Sequence, residues 1–139
     1  MMREIRIIGA AVLAAGVVCA QPAAQPQMER IEVPAKGSFM GEAFTYTRLL
    51  RERNPSHERY DITYPSPEVT DFEPNNTVPA ELYLPPGMGR DRVFPAVVCL
   101  HIFHGSFDLE RMLCARLAQS GVPALFFKQP YYAERGGAE

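Results

Sequence analysis

The sequence predicts an α/β fold: two leading strands followed by a right-handed strand–helix–strand unit whose strands run parallel. Three observations predict it. Ala96 to Leu100 is a short continuous apolar run with adjacent valines, the composition of a strand buried on both faces of a parallel sheet. Leu109, Leu113 and Leu117 recur every four residues with Met112 alongside, so a helix over 109–119 gains one apolar face, and Gly121 stands where a left-handed C-terminal residue is wanted. Ala124 to Phe127 then supply a second buried strand. A helix linking two strands of one sheet makes them parallel and gives the crossover its right hand.

The elements before this unit follow in order. Met1 to Ala20 has the composition of a secretory leader, with Arg3 and Arg6 in front, an apolar run from Ile7 to Val18, and Val18-Cys19-Ala20 as a small-residue exit. The apolar run is too short for a stable membrane span in the mature form. Cys19 as a lipid-bearing residue is the alternative, disfavoured by the valine directly before it. Export places the protein outside the cytoplasm, secreted or periplasmic. Residues 21–55 read as a polar spacer, Gln21 to Gln27, and a lead-in in which Glu42 to Arg53 carries a weak helical pattern ending before Pro55. Tyr60 to Tyr64 alternates, with Tyr60, Ile62 and Tyr64 facing one way, as a half-buried strand does. Val78 to Leu84 does the same with Ala80, Leu82 and Leu84, and Pro85, Pro86 and Gly87 stop it.

At the turn after Leu100 the chain reads His101, Ile102, Phe103, His104, Gly105, Ser106. It resembles the H-G-F-G-G-S stretch that ends the third strand in the α/β-hydrolase superfamily, and within it the dienelactone hydrolase and acetyl xylan esterase-like secreted esterases. Pro130 to Gly136, PYYAERG, is similar to the P-Y-Y-G-E-R stretch of the same esterases. The resemblance covers roughly Tyr60 to Gly136 and implies that residues 56–139 are the N-terminal portion of such a domain. It also implies that the backbone N–H of Phe103 donates to the oxyanion and that His101 and Gly105 support the loop. His104, Tyr131 and Tyr132 would line the substrate pocket, with Arg135 near its mouth. Two glycines of that pattern are replaced, by Ile102 and His104.

None of Ser38, Ser56, Ser66, Ser106 and Ser120 lies in G-x-S-x-G, the elbow that exposes a serine nucleophile, so no catalytic residue is assigned in this chain. In the resembling family the nucleophile, acid and histidine all follow the unit described above, which puts the triad beyond Glu139 and the chain as truncated before the elbow. The function implied is that of a secreted serine hydrolase acting on small-molecule or carbohydrate esters. A prolyl oligopeptidase-type peptidase on the same core is one alternative, and a non-catalytic module that lost its triad is the other, favoured by Ile102 and His104.

The remaining polar residues have plainer roles. Ser106 reads as a helix-start residue, with Asp108 serving the helix dipole. His57 reads as a solvated loop residue between Ser56 and Glu58, and Asn75 to Thr77 matches a glycosylation acceptor. Three scattered histidines give no metal spacing, and no cofactor is implied. The formal charge of −2 and the lack of a basic patch exclude nucleic acid as a partner class. Cys99 and Cys114 are either buried thiols or, after export, a disulfide.

Overall fold

The computed structural model describes residues 27–35, 42–89, 94–102 and 106–136. These form a six-stranded mixed sheet of β1 (Met28–Val33), β2 (Phe44–Arg53), β3 (Glu58–Pro65), β4 (Thr77–Leu84), β5 (Val97–Leu100) and β6 (Ala124–Phe127), in the order β1-β2-β3-β4-β6-β5. Neighbours from β1 through β4 to β6 are antiparallel. Only β5 and β6 run parallel, with Val98 opposite Leu125. Between them in sequence lies α1 (Asp108–Gln119), the one α-helix among the described residues.

This corrects the expected fold class. An α/β domain alternates strands with helices around a mainly parallel sheet, and this sheet is mainly antiparallel with its parallel pair confined to one end. It is therefore not the N-terminal part of an α/β-hydrolase sheet with two leading strands. The main source of the difference is the lead-in, where the helix expected over Glu42 to Arg53 is the ten-residue strand β2. Tyr46, Arg48 and Leu50 alternate with Thr45, Thr47 and Leu49, a period-2 pattern that charged residues obscured. Pairing decided the matter: Leu50 opposes Tyr60, Arg48 opposes Ile62 with its guanidinium 4.8 Å from the Tyr60 ring, and Thr47 hydrogen-bonds Thr63 across the strands.

The two sheet faces bury separate cores. On one, Tyr60, Ile62 and Ala80 pack with Tyr46, Leu50, Leu82 and Leu125. On the other, α1 lies against Tyr83, Cys99, Ala124 and Phe126 through Cys114 and Ala118. Complete burial of Phe126 contributes about 1.5–3 kcal/mol. Strand β4 is buried on both faces, since Glu81 and Tyr83 are as enclosed as Val78 and Ala80.

Two local expectations are also corrected. Strand β5 is an edge strand rather than a strand buried on both faces, with Cys99 buried and Val97, Val98 and Leu100 exposed. The helix turns Glu110, Cys114 and Ala118 to the sheet and leaves Leu109 and Leu113 exposed. Small side chains at 114 and 118 let the backbone sit close over Phe126, and the leucine row is rotated to the flank. The helix end matches expectation. Gly121 takes φ +87°, and the Val122 and Gly121 N–H groups bond the Leu117 and Ala118 carbonyls, each at 3.0 Å.

Candidate functional site

His101 and Ile102, directly after β5, are held by polar groups from three directions. His101 follows the strand with its side chain on the α1 side, where it is buried against the rings of Tyr132 at 4.6 Å and Phe107 at 5.2 Å. Gln129 N–H donates to His101 Nε2 at 3.3 Å, so the ring proton sits on Nδ1 and is donated to the Ile102 carbonyl at 3.0 Å. Both ring nitrogens are thus committed to backbone, leaving none to take a proton from a substrate. Glu110 reaches from α1 to accept the Ile102 N–H at 3.0 Å. Phe103, His104 and Gly105 lie outside the described residues.

Non-glycine residues with positive φ gather around this histidine. Phe107 has φ 62°, which seats its ring between His101 and Phe126 at the start of α1. Tyr131 has φ 64° and Ala133 has φ 49° in the segment that follows β6. Such conformations cost of order 1–2 kcal/mol each and persist only when their surroundings over-determine them. Here the surroundings are explicit. Asn75 Oδ1 accepts the Tyr131 N–H at 3.1 Å, Arg135 donates to the Asn75 and Lys128 carbonyls at 2.8 and 3.1 Å, and the exposed Tyr131 ring stacks on Phe72 at 5.8 Å.

A second polar centre lies under an open cavity of about 730 Å³ on the same sheet face, lined by Arg51, Arg59, Asp61, Glu81, Arg111 and Lys128 among others. Glu81 is its floor. It accepts from Arg111 Nη2 at 2.8 Å and Tyr83 Oη at 2.9 Å, with Arg59 Nη1 at 3.5 Å and Lys128 Nζ at 3.9 Å. Burial alone would raise its carboxyl; the Arg111 and Tyr83 hydrogen bonds and the charges of Arg111 and Lys128 hold it below the usual carboxylate range. Burial and the adjacent Glu81 charge push the Tyr83 hydroxyl up, so it stays a donor. The arrangement locks α1 and β4 together and leaves Glu81 with no proton to give. Sequence reasoning missed Glu81 and Arg111, thirty residues apart; the only local signal was a carboxylate on the polar side of a strand.

Several residues singled out in the sequence sit elsewhere or differently. Ser106 Oγ bonds Asp108 and does not cap α1, whose N-cap is the left-handed Phe107. His57 is buried rather than solvated, bonded through Nδ1 to Ser56 Oγ at 3.0 Å, and that hydroxyl also bonds Asn54. Asn75 is 2 % exposed with its side-chain nitrogen buried, so in this fold it presents no acceptor for a glycan. Cys99 and Cys114 are buried free thiols, and burial together with the Cys99 hydrogen bond pushes Cys114 up to about 12, where it is no nucleophile. Among the described residues no group of His, Cys, Asp or Glu side chains is disposed to hold a metal ion. No helix among them is long and apolar enough to cross a membrane. Comparison of the chain with protein-family models, with characterised proteins and with solved structures finds no match.

Proposed function

We propose that this chain supplies the oxyanion-binding side of an exported serine hydrolase acting on carboxylic esters, with the nucleophile, acid and proton-shuttling histidine outside this sequence. The observation that carries the proposal is the anchoring of His101 and Ile102 at the end of β5. His101 spends both ring nitrogens on backbone, and Glu110 pins the adjacent Ile102 N–H. Stabilising a developing oxyanion takes donors that need no reorganisation, and these anchored residues directly precede Phe103 in sequence. Ala133 adds support: it adopts φ 49° at the position where the resembling P-Y-Y-G-E-R stretch has glycine. In the reaction the serine attacks the ester carbonyl, the histidine moves its proton to the leaving alcohol, and Phe103 N–H binds the oxyanion.

The test is an activity-based fluorophosphonate label applied to the exported natural gene product, followed by mapping of the labelled residue. One serine outside this sequence should carry the label, and the present 139 residues alone should hydrolyse no activated ester above background. In the active product Phe103→Pro removes the N–H and should lower turnover about a hundredfold, whereas Phe103→Ala keeps the donor and most of the activity. Label on Ser106, no label at all, or equal turnover in the proline variant refutes this function.

A further inference from the structure

Cys99 and Cys114 meet across the two elements that flank His101 and Ile102. Val98 and Leu100 are exposed, so strand alternation sends the Cys99 side chain to the α1 side, where the residue is 7 % exposed. Cys114 lies on the helix face that meets the sheet, one turn beyond Glu110, and is fully enclosed. The two side chains belong to one packed cluster with Tyr83 and Phe126 and share a sulfur hydrogen bond. One face of α1 therefore reaches back to the end of β5 twice: through Glu110 to the Ile102 N–H at 3.0 Å, and through Cys114 to Cys99.

Burial makes both thiols inert once the fold is complete, but not before α1 docks on the sheet. The third cysteine, Cys19, belongs to the leader, so these two have only each other as partners in the mature sequence. An oxidising compartment turns such a pair into a bridge.

The structure holds the dithiol form of the pair. We infer that Cys99 and Cys114 close to a disulfide in the oxidising compartment to which export delivers the chain, a covalent staple between β5 and α1. The bridge depends on the export proposed above and is independent of catalysis. Before α1 docks, the thiolate of one cysteine attacks the disulfide of an oxidised thiol–disulfide oxidoreductase and expels one of its sulfurs as a thiolate; the second cysteine, deprotonated in turn, attacks the mixed disulfide. The pair gives up two protons and two electrons, and the oxidant leaves as a dithiol. The closed loop spans residues 99–114 and so contains His101, Ile102, Phe107 and Glu110. Closing it removes entropy from the unfolded chain and limits how far β5 and α1 can separate.

The test is thiol counting on the exported natural gene product, quenched in acid, denatured, and alkylated before or after reduction, with peptide mapping. No thiol should react before reduction and both should react after it, the peptides holding Cys99 and Cys114 being linked in the unreduced sample. The Ile102 amide should exchange at least about tenfold more slowly in the bridged form than after reduction, and the urea midpoint should fall on reduction in the wild type but not in Cys114→Ala. N-terminal sequencing of the same sample separates this inference from the export assignment. Two free thiols in a product beginning at Gln21 overturn the bridge and leave export intact. A retained Met1 defeats the export assignment, and the purified chain equilibrated with oxidised glutathione then decides the bridge: failure to close, a lasting glutathione adduct or a bond between two chains overturns it. An Ile102 amide indifferent to reduction overturns the hold of the staple on β5 and α1.

Discussion

Replacing Glu81 with glutamine tests whether the buried charge cluster holds α1 to the sheet. Glu81 is 3 % exposed and faces three cations, so the substitution leaves positive charge over the sheet without its counterion. Removing one partner of a buried pair typically costs about 3–5 kcal/mol. Two features reduce that here. The side chains of Arg111 and Arg59 are 36 and 28 % exposed and can turn to water, and Lys128 keeps Glu134 at 2.6 Å. The glutamine oxygen also still accepts one bond. The expected loss is about 2–3 kcal/mol at neutral pH, or a fall in Tm of about 8–20 °C for a domain of this size. Urea unfolding of both proteins measures it directly. The pH dependence gives an independent check on sign. Because the Glu81 pKa is lowered on folding, the unfolded chain takes up the proton first. The group's contribution is therefore full above the ordinary carboxylate range and is lost as pH falls through the depressed folded value. Glutamine does not titrate, so the gap between the two proteins should narrow in acid. A loss under about 1 kcal/mol at neutral pH, or a gap that widens in acid, refutes the assignment.

Three further outcomes are expected. Gly121→Ala should destabilise by about 1 kcal/mol, because an added Cβ meets nothing within 4 Å and the cost is that of φ +87° alone; Ala133→Gly, at φ 49°, should stabilise by about 0.5–1 kcal/mol, and equal unfolding midpoints would contradict both. His101→Phe keeps an aromatic ring beside Tyr132 and Phe107 but loses both backbone bonds, so urea unfolding should show a loss of about 1–3 kcal/mol, with faster exchange of the Gln129 amide; unchanged exchange would mean that the bond at 3.3 Å is not made. N-terminal sequencing of the exported protein should begin at Gln21, and a retained Met1 would defeat the leader assignment.

Short-range physics was legible in the residues. The strands at Tyr60 to Tyr64, Val78 to Leu84 and Ala124 to Phe127, the helix from Leu109 and the left-handed Gly121 all follow from local period and backbone preference, which act within a few residues. The partners of buried polar groups were not legible, because no period links Glu81 to Arg111, Asn75 to Tyr131 or Ile102 to Glu110. The same limit explains the fold class. Residues 28–33 and 44–53 carry too many charges to announce themselves as strands, yet β2 finds its ladder on β3, β1 finds its own on β2, and the first pairing sets Arg48 beside Tyr60. The apolar spacing of α1 and the valines of β5 showed that something would be buried, but not against what. Composition specifies how much surface is to leave water, while the face that leaves it depends on which neighbours the chain brings alongside: Cys114 and Ala118 took the sheet because they are small enough to approach Phe126, and β5 came to the edge because β6 pairs between it and β4.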